Sequence, residues 1–202
     1  MDQPGRRPAN ELPDKHNVHG ARHKMRTVWM ATTLRDVCAE FGLSFAQAPQ
    51  HGAAPPVPAD ADLYFDSHSR FDLDALPDIR GSHMVRDLRD VVVSGYHYHL
   101  WTEEPWANRP LNTGQWERFG HSQPDHDMTY VELLNSLPKD DGIHVEIRRL
   151  TFECELLGEW DFDDPRFTEL HFEDMMNDDG RLFGELFRWY GFDQRHADRA
   201  AE

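Results

Sequence analysis

Basic residues are scarce in this chain of 202 residues: 21 Lys and Arg stand against 37 Asp and Glu, for a formal net charge of −16. That balance excludes a general binder of nucleic acid or of anionic membranes, whose affinity rests on concentrated Lys and Arg. Any anionic ligand must find a local basic pocket. Long apolar runs are missing too: nothing approaches the roughly 18 residues that a membrane span requires. Met1 to Asn10 is polar rather than signal-like, so the expected address is cytoplasmic. The two cysteines, Cys38 and Cys154, lie far apart among apolar neighbours of helical spacing. They support neither a disulfide framework nor a cysteine zinc site, and both are expected to be buried thiols. The phosphate-loop pattern GxxxxGK[ST] is absent, and no Ser or Thr directly follows Lys24 to hold Mg²⁺, which argues against a kinase of that type.

What is present is 39% hydrophobic and 11% aromatic content, enough for one core and short for two. A single domain over 21–196 is expected, between a loose Pro-, Gly- and charge-rich arm at 1–20 and a short tail at 197–202. Met30, Leu34, Val37, Cys38 and Phe41 follow helical spacing before Gly42, which predicts a helix over 27–41. The Ala- and Pro-rich stretch 46–62 reads as an extended connection, followed by short strands at 63–65 and 83–85. Asp87 or Asp90 can cap a helix running through Val91, Val92 and Val93 beyond Tyr96. Further helices are expected near 129–137, 141–158 and 178–190, with a strand near 168–172. Strands alternating with helices predict an α/β domain with a mainly parallel sheet flanked by helices.

Two segments concentrate chemistry. In RDLRDVVVSGYHYH, residues 86–99, Arg86 at a strand end can donate several hydrogen bonds to a phosphate. Ser94, eight residues on, adds a hydroxyl from the following helix. The same charges, Arg86, Asp87, Arg89 and Asp90, also suit a surface ion-pair network at a helix start. HKMRTVWM, residues 23–30, places Lys24 and Arg26 directly before the first helix, where amides and the helix end favour an anion. His97 with His99, and His121, Asp125, His126 and Asp127, are the sets that could be imagined as metal ligands. Helical residues two apart point to different sides and the second set reads as a polar loop, so no metal is expected.

These segments resemble those of the sulfotransferases that use 3′-phosphoadenosine 5′-phosphosulfate (PAPS). RDLRDVVVS is similar to the 3′-phosphate segment, in which a strand ends in RDPRD and enters a helix bearing VVVS. HKMRTVW resembles the 5′-phosphosulfate loop, of the form KxGTTW or HHKxGTxW. DSH at 66–68 stands where cytosolic members carry KTH, and ELHFEDM at 169–175 is similar to a strand end of the form YEDL. The four segments occur in the family's order over about 22–192. The resemblance implies a P-loop-NTPase-like sulfotransferase fold and PAPS as co-substrate without a metal. It also implies a small-molecule acceptor bearing a hydroxyl or amine, and no nucleic-acid or membrane partner. Carried over residue by residue, Lys24 meets the phosphosulfate, Thr27 adds a hydroxyl, Val28 lies in the loop and Trp29 stacks on adenine. Arg86 and Ser94 hold the 3′-phosphate, Phe172 lies near the adenine, and His68 is the general base, with Asp66 a candidate to orient its imidazole. Arg26 stands where the family has glycine, Val28 replaces a hydroxyl residue, and Asp66 replaces the Lys of KTH. No basic, glycine-containing RKG segment follows Gly191. A binder of PAP or PAPS, or of a partner, that keeps the fold without turnover is therefore the alternative.

Overall fold

The computed structural model describes residues 16–22, 24–50, 56–76 and 78–202. Its centre is a five-stranded, wholly parallel sheet built from β1 (His16–Gly20), β2 (Phe45–Gln47), β3 (Leu63–Asp66), β4 (Ile79–Val85) and β5 (Phe167–His171). The spatial order β2-β3-β1-β4-β5 puts the first strand in the middle. Helices α1 (Thr27–Glu40), α2 (Leu88–His99), α3 (Thr113–Phe119), α4 (Tyr130–Ser136), α5 (Lys139–Gly158), α6 (Phe172–Asn177), α7 (Asp179–Trp189) and α8 (Gln194–Ala200) complete the described elements. The expected α/β class with a mainly parallel sheet flanked by helices is therefore the observed one.

The chain divides into two compact units, one ending at Val85 and resuming at Phe162, the other spanning Arg86–Asp161. Residues 16–20, expected as part of the arm over 1–20, form strand β1; residues 1–15 lie outside the described residues. HNVHG has little strand character in isolation, yet Val18, His19 and Gly20 are buried. The reason lies far away in the sequence. His19 Nδ1 is 2.6 Å from Ser82 Oγ, which is 2.6 Å from the hydroxyl of Tyr190. That hydroxyl also donates to the Val18 carbonyl at 3.2 Å. Ser82 and Tyr190 satisfy polar atoms that sequence-local reading assigns to water. At the other end, α8 runs through the expected start of the tail at 197.

In the first unit, α1 and α7 bury Leu34, Cys38, Leu186 and Phe187. Val18, Ala48, Tyr64 and Ile79 form a second cluster, packed by Phe71, Leu73 and Leu76. The second unit is helical, and its core joins Tyr96, Trp116, Phe119, Tyr130, Leu134 and Val145, with Trp106 packed against it. Within that core Glu146 is fully buried and accepts from the Tyr130 hydroxyl at 2.6 Å, lies 2.9 Å from His99 Nδ1 and accepts from the Arg149 guanidinium at 2.8 Å. Burial alone raises a carboxyl's pKa, but His99 and Arg149 outweigh it and hold Glu146 down at about 2. Gly95 makes this packing possible, since a Cβ there would lie 2.4 Å from Glu146 Oε1. Cys38 is buried as expected, whereas Cys154 on α5 is exposed. Among the described residues no helix is long and apolar enough to cross a membrane.

Burial, followed by the neighbouring His83, holds His19 down from its ordinary 6.5 to about 3. Between those values the unfolded chain binds a proton at this position that the folded chain refuses. Stability from this group is therefore full above pH 6.5 and declines as the pH falls, by about 1.4 kcal/mol per pH unit. Urea unfolding from about pH 6.5 down to about pH 4.5 should show a shallower loss in His19→Gln than in the parent. Equal slopes would contradict a neutral, buried His19.

Candidate functional site

Because every strand is parallel, all five carboxyl ends face one edge of the sheet, the edge where open α/β sheets place ligands. Gly20 is in register with Asp66 on one side and His83 on the other. In the first unit, the loop after β1 carries Lys24 and Arg26, the turn after β3 carries His68, and Phe172 begins α6 immediately after β5. Arg86 directly continues β4 and is the first residue of the second unit.

The loop between β1 and α1 is conformationally unusual. Lys24 has φ 63° and Arg26 φ 54°. Arg26 is the residue that caps α1, in the left-handed region that glycine occupies without steric cost. Position 26, where the resembled KxGTTW pattern has glycine, is held in the glycine-type conformation here by an arginine. Among the described residues no side chain caps the start of α1 and its first turn holds no acid, so the positive end of this 14-residue helix is not offset by carboxylates of its own first turn. Met25 N donates to the Arg22 carbonyl at 3.2 Å, closing the turn.

Arg26 itself is exposed, and its guanidinium carbon lies 4.6 Å from the centroid of the Trp29 ring. Phe183 meets the same indole edge-on at 5.6 Å. The ring expected to stack on adenine thus carries a guanidinium against it. Thr27 opens α1 and is half-buried, whereas Val28 is 75% exposed.

The turn after β3 is organised by Asp66, whose burial is complete. Its carboxylate accepts from the His68 amide at 2.9 Å and the Arg70 amide at 3.1 Å. It also accepts from the Arg70 guanidinium through Nε at 3.1 Å and Nη2 at 3.0 Å. Arg70 reaches onward to the Pro49 carbonyl at 2.7 Å. Asp66, expected as an orienter of the His68 imidazole, holds the His68 backbone instead, as an Asx-turn does. The half-buried His68 ring has no hydrogen bond among the described residues. Ser69, at φ 52°, donates through Oγ to the Ala21 carbonyl at 2.9 Å, while Ala21 N donates to the Asp66 carbonyl at 3.2 Å. These bonds join the His68 turn to the Lys24 loop. Sequence reading missed Ser69 and Arg70; an Asp at a strand end followed by Ser-His-Ser was the available signal, as an Asx-turn pattern.

In the second unit the charge cluster separates into parts. Asp87 caps α2 by accepting from the Arg89 amide at 2.9 Å and pairs with the same residue's guanidinium. The ion pair expected at this helix start is present between Asp87 and Arg89. Arg86 is half-buried, and Ser94 is half-buried on α2, its hydroxyl making no hydrogen bond among the described residues. Trp116 belongs to this unit's core and Trp106 packs against it, while Trp101 is 68% exposed. His99 is taken by Glu146, and among the described residues no group of three or more His, Cys, Asp or Glu is placed to hold a metal ion.

No protein-family model matches the chain, and no curated protein matches it. Among solved structures it is similar to the mouse sulfotransferase SULT7A1 complexed with PAP, with 10% identity and a TM-score of 0.46. That match covers 95% of this chain and 66% of the other. It is also similar to retinol dehydratase in complex with androsterone and the inactive cofactor PAP, with 14% identity, a TM-score of 0.41, and coverage of 92% and 63%. The chain thus spans just under two thirds of each.

Replacing Arg26 separates its backbone from its side chain. Arg26→Ala and Arg26→Gly both remove the guanidinium from Trp29, but only glycine relieves the left-handed backbone. Arg26→Gly should be more stable than Arg26→Ala by about 1 kcal/mol in denaturant unfolding. The reverse order would show that residue 26 is not held at positive φ in solution.

Proposed function

We propose that the chain binds PAPS and transfers its sulfuryl group to a hydroxyl or amine acceptor. The observation that carries this reading is where the backbone strain lies. All the described non-glycine residues with positive φ, Lys24, Arg26 and Ser69, fall in the two loops leaving β1 and β3 at the carboxyl edge of the sheet. Unfavourable backbone of this kind costs about 1–3 kcal/mol per residue and persists where surrounding structure enforces it, commonly at ligand clamps and active sites. Here it coincides with a cationic loop at an uncapped helix start, a setting that suits a polyanionic donor.

In this reading Lys24 contacts the phosphosulfate and neutralises charge that develops on the departing phosphate. Thr27 adds a hydroxyl. His68 accepts the acceptor's proton at a ring nitrogen as the acceptor oxygen or nitrogen attacks sulfur. One bond forms from the acceptor to sulfur, the bond from sulfur to the phosphate oxygen breaks, and PAP departs with the electron pair. Arg86 and Ser94 are assigned to the 3′-phosphate, which distinguishes this donor from other adenine nucleotides. Phe172 and Trp29 are assigned to the adenine. The Trp29 face is only partly ready for that role, since adenine would have to displace the Arg26 guanidinium or share the ring with it.

That same contact favours a second reading, a PAP or PAPS binder without turnover. A left-handed Arg26 lying on Trp29 restricts the loop where the resembled family keeps a glycine. Sulfate-transfer assays over a panel of hydroxyl and amine compounds, on protein shown to bind PAP, distinguish the two readings. Binding without transfer selects the second.

Arg86→Ala should weaken PAP binding by more than about 1.5 kcal/mol, roughly tenfold, with the fold intact by circular dichroism. Unchanged affinity removes Arg86 from the 3′-phosphate. His68→Ala should bind PAP normally and lose most of the transfer rate; retained transfer would eliminate His68 as the base.

A further inference from the structure

The bonds that tie the turn after β3 to the loop after β1 give two residues outside the resembled motifs a role in the site. Ser69 sits at φ 52°, a conformation that serine adopts at a cost. Its hydroxyl donates to the carbonyl of Ala21, the first residue after β1. The Ser69 amide donates to the Asp66 carbonyl at 3.2 Å, which accepts from Ala21 N as well. From the opposite side, Gly20 admits this approach: a Cβ at position 20 would stand 2.5 Å from Ser69 Oγ and 2.9 Å from the Phe71 ring. Asp66, held by Arg70, fixes where the turn begins and where the His68 backbone stands.

We propose that Ser69 and Asp66 are positioning residues that lock the His68 turn to the Lys24 loop, so that the general base and the phosphosulfate cation move as one unit. This inference rests on the donor-binding reading for its functional meaning. The mechanical coupling stands on the hydrogen bonds alone. Neither residue contacts the reacting atoms. Ser69 acts through Ala21 on the loop that carries Lys24, and Asp66 acts through the backbone of His68. Buried and hydrogen-bonded by two amides and the Arg70 guanidinium, the Asp66 carboxylate organises the turn.

Ser69→Gly tests the coupling with little risk to folding, because glycine accepts φ 52° while removing the hydroxyl. Gly20→Ala perturbs the same junction from the other strand. Amide hydrogen exchange reads the coupling without any ligand. In Ser69→Gly the Ala21 and Met25 amides should exchange about tenfold faster, with core amides of α1 and α7 unchanged. Unchanged exchange at Ala21 and Met25 in both variants overturns the coupling. PAP titration reads its functional meaning. Ser69→Gly should bind PAP about fivefold more weakly than the parent, as for loss of one hydrogen bond acting through the loop. Combined with Lys24→Ala, it should cause little further loss, whereas additive losses would show that Ser69 does not act through the Lys24 loop. A parent that fails to bind PAP refutes the donor reading, and hydrogen exchange then decides the coupling by itself. A parent that binds PAP with Ser69→Gly matching it overturns the positioning role.

Discussion

The buried carboxylate of Asp66 is the interaction on which the organisation of the candidate site depends. A carboxylate removed from water must have its lone pairs occupied, and here two backbone amides and the Arg70 guanidinium occupy them. Meeting that demand winds the chain after β3 into a tight turn, forces Ser69 to positive φ and brings its hydroxyl onto Ala21. Since β1 and β3 are parallel neighbours with Gly20 opposite Asp66, the turn arrives beside the loop that leads into α1. One desolvated charge therefore determines how two loops from different strands meet.

Around this point the sheet supplies direction and the helix supplies field. Parallel pairing aligns the strand ends, and the start of α1 presents amides that no side chain caps. The cations of the loop act locally within a chain of strongly negative charge.

Much of this was legible in the sequence, for identifiable physical reasons. The helices at 27–40, 88–99 and 139–158 announce themselves through periodicity and through Asp87, a capping residue with its partner amide two residues on. The irregular position 26 was visible as a departure from a glycine pattern, and the backbone there is left-handed. Strand β1 was not legible, because the partners of the His19 ring and the Val18 carbonyl, Ser82 and Tyr190 respectively, lie far along the chain. The division into two units was hidden as well. Within the second unit's core lies Glu146, an acid in a polar stretch of sequence that is fully buried and hydrogen-bonded by His99, Tyr130 and Arg149. Buried polar residues whose partners are distant are where local pattern reading fails.

If the loops after β1 and β3 form the binding edge for an adenosine phosphosulfate, the amides of those loops must respond when PAP is added. Mapping amide chemical shifts during a PAP titration reads that response residue by residue. Saturable shifts are expected to concentrate at residues 21–27 and 66–70, with ATP producing weaker effects at the same positions because it lacks the 3′-phosphate. Absence of saturable shifts, or shifts confined to other parts of the chain, would contradict the assignment of this edge.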